Sequence, residues 1–155
     1  MASSVKPLPD GYHTVTPYLI IHGAAQALEF YSRVFGAVEV MRFKGPGGKI
    51  MHAEMTIGDS RIMVADEFPQ MGAVSPQSIG GTAVGLALYV EDADATFNRA
   101  LGAGATVISA VQDQFYGDRS GTLLDPFGHR WTVATHIEDV TLEEVERRAA
   151  AQMPH

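Results

Sequence analysis

Tyr116-Gly117-Asp118-Arg119-Ser120-Gly121-Thr122-Leu123-Leu124-Asp125-Pro126-Phe127-Gly128-His129-Arg130-Trp131-Thr132-Val133 carries its own punctuation. At its centre, Pro126 fixes φ, Asp125 can bond its own backbone, and Gly128 supplies a positive φ. Apolar and β-branched runs flank this turn, Gly121–Leu124 before it and Arg130–Thr135 after it, so the unit reads as a β-hairpin.

Working outward, the chain states one pattern twice. His13–Ile21 reads as a first strand that Pro17 pushes towards a sheet edge or bulge. Ala24, Ala27, Leu28, Tyr31, Val34 and Phe35 recur at helical spacing over Ala24–Phe35, and Gly36 stands where a C-cap belongs. Val38–Phe43 is a strand, Gly45–Gly48 a turn, and Lys49–Ile57 with Arg61–Ala65 a hairpin around Gly58-Asp59-Ser60. Asp66–Gly81 has Pro, Gly and Ser without periodicity and reads as a connecting loop.

Then Thr82–Val90 gives a strand and Asp92–Leu101 a helix, capped by Glu91 or Asp92 and stopped by Gly102. Thr106–Val111 is a strand and Gln112–Asp118 a loop, and the hairpin closes the set. The helix ends Phe35-Gly36-Ala37 and Leu101-Gly102-Ala103 lie 66 residues apart, the mark of an internal repeat. The expected fold is α+β: tandem βαβββ modules forming a cup-shaped mixed sheet with helices outside. The expected boundaries are a flexible leader at 1–12, modules at 13–67 and 82–137, a linker loop at 68–81, and a C-terminal helix and tail at 138–155. In that tail Thr141-Leu142-Glu143-Glu144 fits a capping box, with Arg147 and Arg148 placed late to suit the helix dipole. The helix is expected to pack on the body or on a second subunit.

Composition removes several functions. The 155 residues suit one domain or two half-domains, and a net charge of −7 offers no basic excess for nucleic acid or anionic membrane. The lack of cysteine excludes disulfides, thiolate catalysis and Cys-ligated zinc. No apolar run approaches the roughly 20 residues that span a bilayer, and residues 1–10 lack a signal-peptide core, so the expected location is the cytoplasm. Gly45-Pro46-Gly47-Gly48-Lys49 lacks the spacing of a phosphate loop, and Gly102-Ala103-Gly104-Ala105 follows a helix instead of opening one.

Three segments in order carry a resemblance. Ala27-Leu28-Glu29-Phe30-Tyr31-Ser32-Arg33-Val34-Phe35-Gly36-Ala37 resembles the opening βα unit of the vicinal oxygen chelate superfamily, which includes glyoxalase I, bleomycin-resistance proteins and extradiol dioxygenases. Met51-His52-Ala53-Glu54 with Ile57-Gly58-Asp59-Ser60, and Gly117–Gly121 with Asp125–Trp131, resemble its PhnB-like branch. The resemblance implies paired βαβββ modules and a homodimer. It also places the superfamily's usual metal ligands at Thr16, Val84 and Thr132, none of which is an effective divalent-metal ligand.

The substitute candidates are His52 and Glu54, two apart on a predicted strand and so on one face, opposite Met51, Ala53, Met55 and Ile57. They suit a metal pair, an acid–base couple, or a hydrogen-bonded pair lining a pocket or subunit seam. Tyr18, Phe115 and Tyr116 are the expected ligand walls. Arg119 is either a clamp for an anionic group or half of an Asp118–Arg119 pair that stiffens its loop. Trp131 is expected in the core, and His129 and His136 as hydrogen-bonded turn residues.

The expected function is small-organic-ligand binding in the cup, of the glyoxalase/bleomycin-resistance kind, without cofactor. Whether a reaction is catalysed is open. The alternatives are a lyase, isomerase or dioxygenase dependent on Zn, Mn, Ni or Fe, with His52 and Glu54 as ligands, or a metal-free acid–base enzyme using the same pair.

Overall fold

A computed structural model describes residues 4–153. The chain divides into two compact units at Gly80/Gly81. In the first, β1 (Tyr18–Ile21), α1 (Ala24–Phe35), β2 (Val38–Lys44), β3 (Ile50–Ile57) and β4 (Ser60–Asp66) form a βαβββ module with sheet order β1-β4-β3-β2. Strands β1 and β4 run parallel and the other pairs antiparallel. A two-residue turn joins β3 to β4, with positive φ at Gly58 alone, as a type II′ hairpin requires.

The stretch after β4, expected as loop, is partly ordered. Pro69–Met71 forms a 3₁₀ turn and α2 (Pro76–Ile79) a short helix. Both begin with Pro in the first helical turn, and fully buried Ser75 caps α2. Proline here starts helical turns, since its fixed φ suits a first turn that needs no N–H donor.

The second unit repeats the first. β5 (Gly85–Tyr89), α3 (Ala93–Gly102), β6 (Thr106–Asp113), β7 (Asp118–Leu124) and β8 (Arg130–His136) give the order β5-β8-β7-β6, with β5 and β8 parallel. The buried residues of α3 are Ala93, Thr96, Phe97 and Ala100. Each lies 69 positions after a buried residue of α1: Ala24, Ala27, Leu28 and Tyr31. The repeat is therefore 69 residues. The second helix is two residues shorter, 10 against 12, and it ends at Gly102, one residue past the Leu101 from which the spacing of 66 is counted.

Several element ends are corrected, among them the start of β5, which lies at Gly85 and not at Thr82. Residues 13–17 are not strand, because β1 begins only after Pro17, whose carbonyl accepts the Met63 N–H. α3 runs through Gly102, and β6 continues to Asp113, which shortens the following loop to Gln114–Gly117.

In each module the helix covers one sheet face. The first core packs α1 over Leu19, Ile21, Met55, Ile62 and Val64, and the second packs α3 over Leu123, Trp131 and Val133, all buried. Gly121 is required there, since a Cβ would stand 2.9 Å from both the Phe97 ring and the Val111 backbone. The β7–β8 turn closes on Asp125, which is 4% exposed. Its carboxylate accepts the Phe127 and His129 N–H groups and the Trp131 indole N–H, each at 2.9 Å. Gly128, at φ 91°, returns its N–H to the Asp125 carbonyl.

The last helix, α4 (Leu142–Gln152), is capped by Thr141, but Glu144 turns to Arg147 and Arg148, so half of the expected capping box forms. Those two cations hold the Glu144 carboxyl down at about 2. Arg148 also binds the Phe115 carbonyl at 3.1 Å and Glu138 at 2.8 Å, tying α4 to the Gln114–Gly117 loop. Among the described residues no helix is long and apolar enough to cross a membrane.

Candidate ligand site on the first module

Alternation along β3 buries Ala53, Met55 and Ile57 under α1 and turns His52, Glu54 and Thr56 to the opposite, open face. Met51 departs from the expected pattern. A register shift at Phe43/Lys44 bulges the strand there, leaves Met51 half-buried and buries Ile50 instead. Register then assembles the open face. Met63 lies between Tyr18 of β1 and Glu54 of β3, while Met41 and Phe43 of β2 stand beside Glu54 and His52.

Across this face runs a chain of hydrogen bonds. Tyr18 Oη is 2.8 Å from His52 Nδ1, and His52 Nε2 is 2.9 Å from Glu54 Oε2. The Arg61 guanidinium stands 3.5 Å from the other Glu54 oxygen. The Glu54 carboxyl is held below its ordinary range, first by the neighbouring Tyr12 hydroxyl and then by His52. An ionised carboxylate only accepts, so the Nε2–H of His52 donates to Glu54. Burial, and then the Glu54 charge, raise the Tyr18 phenol above its usual value, so its proton stays on at neutral pH.

Two participants were not foreseen. Arg61 alternates with buried Ile62 and Val64 and pairs across from Thr56, so the strand period could have found it. Tyr12 had no such signal, lying in a stretch expected as flexible leader. Its ring lies 4.8 Å from the Arg61 guanidinium, and its hydroxyl is shut off from solvent without an aligned hydrogen bond.

The residues expected at the superfamily's metal positions hold no effective ligand. Thr132 is hydrogen-bonded to Thr122 at 3.1 Å, and Val84 is 69% exposed just before β5. The 69-residue repeat makes Gly85, rather than Val84, the counterpart of Thr16 in the second module. The pair His52–Glu54 does not fit a divalent cation either. Both imidazole nitrogens are engaged, and a guanidinium occupies the carboxylate's far side. Among the described residues no three His, Asp or Glu side chains gather closely enough to hold a metal ion.

In the second unit Arg119 is corrected. Alternation sends it with Gly121 and Leu123 towards α3, where Asp94 takes it in two bonds of 2.6 and 2.9 Å and Asp113 in a third of 3.0 Å. It straps helix to sheet and is neither a free anion clamp nor a partner of Asp118. Phe115 and Tyr116 stand edge to face, ring centroids 5.2 Å apart, on the loop that Arg148 holds. Asp118 instead accepts from Tyr89 at 2.7 Å and pairs with His136 at 2.8 Å, and the far nitrogen of His136 meets Asp139 at 2.7 Å. A groove of about 490 Å³ lies between α1 and β2, on the other side of the first sheet, and none of the predicted site residues lines it.

The sequence pattern of the glyoxalase/bleomycin resistance protein/dioxygenase superfamily matches residues 13–133. The chain belongs to that superfamily. An uncharacterized protein of Mycobacterium bovis is 41% identical over 155 residues, covering 98% of each chain. Among solved structures, TioX from Micromonospora sp. ML1 superposes with a TM-score of 0.62 at 26% identity, over 83% of this chain and all of that one. A PhnB protein from Bacillus cereus gives 0.62 at 19% identity, over 79% of this chain and 99% of that one, and so shares the fold. The superfamily's PhnB-like architecture is thus present, without side chains fit for a metal at the positions its resemblance implied.

Proposed function

We propose that this superfamily member binds a small organic molecule on the open face of its first sheet, without a divalent metal. The observation that carries the proposal is the Tyr18–His52–Glu54 chain, which commits to one another the groups a metal would need. Beside that polar row stand Phe43 and Met41, 54% and 39% exposed. A polar row next to apolar surface is the usual composition of a small-molecule site. Tyr18 and His52 are ligand contacts in this reading, and Arg119, taken by Asp94 and Asp113, leaves the set. We further propose a homodimer in the cytoplasm. Exposed Val38 and Val40 on edge strand β2, and Val107 and Ile108 on edge strand β6, support pairing with a second copy.

Thermal-shift and calorimetric titration with a panel of small aromatic compounds, in the presence of EDTA, tests the binding. Stabilisation that survives EDTA and weakens in Phe43→Ala and His52→Ala is expected. No response across the panel, or one abolished by EDTA, would overturn the reading.

A further inference from the structure

We propose that the Tyr12 ring is a built-in occupant of a ring subsite on the first sheet, and that a neutral phenol enters by displacing it. This deepens the binding reading, rests on it, and names the chemistry of the ligand. The subsite has two walls of different character. Arg61 lies on β4 opposite Thr56, with its guanidinium 4.8 Å from the centre of the Tyr12 ring. Glu54, on the neighbouring strand, stands 3.5 Å from that guanidinium and, held ionised, accepts without donating. A flat ring on the cation with its hydroxyl towards the carboxylate is the group these two side chains recognise. The phenol stays protonated, because an oxyanion would lie against the Glu54 charge. Burial, and then Glu54, raise the Tyr12 phenol above its usual value for the same reason.

Tyr12 fills this place imperfectly. Among the described residues, its buried hydroxyl and the buried Arg61 Nε–H both lack an aligned hydrogen bond. Buried polar groups left unpaired cost free energy, so each calls for an explanation. The tether supplies one. Gly11, at φ 84°, sits so close to Arg61 that a Cβ there would overlap Nη2, and the Tyr12 N–H turns back to the Pro9 carbonyl at 3.2 Å. That turn fixes where the ring can lie, whereas a free phenol can rotate its hydroxyl into line with Glu54. The strap is also loosely held. Residues 4–17 form no helix or strand, and Val5 and Val15 are 87% and 82% exposed, so it can open locally while the sheet stays intact.

p-Cresol, the tyrosine side chain cut free, is the probe, and p-xylene, with a methyl in place of the hydroxyl, is its control. Titration followed by ¹H–¹⁵N NMR gives both the Kd and the place of binding. Tyr12→Ala should bind p-cresol roughly tenfold more tightly than wild type, the gain expected when an occupant leaves its subsite free about one-tenth of the time. The shifts should centre on Glu54 and Arg61, and p-xylene should gain less. Tyr12→Phe keeps the ring in place and should bind p-cresol as weakly as wild type. In wild type itself, saturating p-cresol should speed amide exchange over residues 11–13. Equal affinity of wild type and Tyr12→Ala for p-cresol, an equal gain for p-xylene, shifts centred elsewhere, Tyr12→Phe as tight as Tyr12→Ala, or unchanged exchange over residues 11–13 overturns the proposal. Each leaves the binding reading intact so long as wild type answers the aromatic panel. Silence of the whole panel and of p-cresol, in wild type and Tyr12→Ala alike, removes both.

Discussion

Asp66 of β4 and Thr135 of β8 hold the same post in their modules, 69 residues apart. Asp66 accepts the Gly23 and Ala24 N–H groups at the start of α1, at 3.1 and 2.8 Å, and the Ile50 N–H at 2.7 Å. Thr135 accepts the Ala93 N–H at the start of α3, at 2.9 Å, and donates to the Val90 carbonyl at 2.8 Å. Each helix is thus capped by the last strand of its own module, where Gly23 offers no side chain of its own.

The two caps should differ in worth. Asp66→Ala strands three N–H donors and should cost about 2–3 kcal/mol, whereas Thr135→Val strands one donor and should cost about 1 kcal/mol. Urea unfolding followed by circular dichroism measures both. Equal losses would contradict the assignment of three bonds to Asp66.

A second prediction concerns the β7–β8 turn. Asp125→Ala removes the acceptor for three N–H groups at a buried position and should destabilise by about 3 kcal/mol, and Trp131→Phe, which keeps the ring packing but loses the indole N–H, by about 1–2 kcal/mol. Because both changes touch one network, the double variant should fall short of their sum. Additive losses would show that Trp131 and Asp125 act independently.

His136 gives a pH dependence with a fixed sign. Asp139, and then Asp118, raise its pKa above 6.5 in the folded protein. A raised folded value contributes stability that is full below the unfolded value and is lost as pH rises through the folded one. His136→Gln should therefore lower the melting temperature more at pH 6 than at pH 9. A deficit that grows towards pH 9 would reverse the assigned charge.

Much of this was written in local sequence. The Asp125-Pro126-Phe127-Gly128 turn, the helical period of Ala24–Phe35 and the strand period that pairs His52 with Glu54 on one face are short-range signals, and each is found where it was expected. What the sequence hid depends on partners far along the chain. Arg119 beside Asp118 suggested a local pair, but the strand period turns it to Asp94, 25 residues earlier. Tyr18 meets His52 only because β1 joins the sheet beside β4, a pairing across more than 40 positions. Tyr12 sits in a Pro-rich stretch with no period at all, so its place beside Glu54 had no local sign.

Metal content tests the central claim most directly. Protein produced with Zn²⁺, Mn²⁺, Ni²⁺ and Fe²⁺ supplied, then gel-filtered and assayed by elemental analysis alongside His52→Ala and Glu54→Ala, should carry far less than one metal per chain in every case. One metal per chain in wild type, lost in either variant, would contradict it and make His52 and Glu54 ligands.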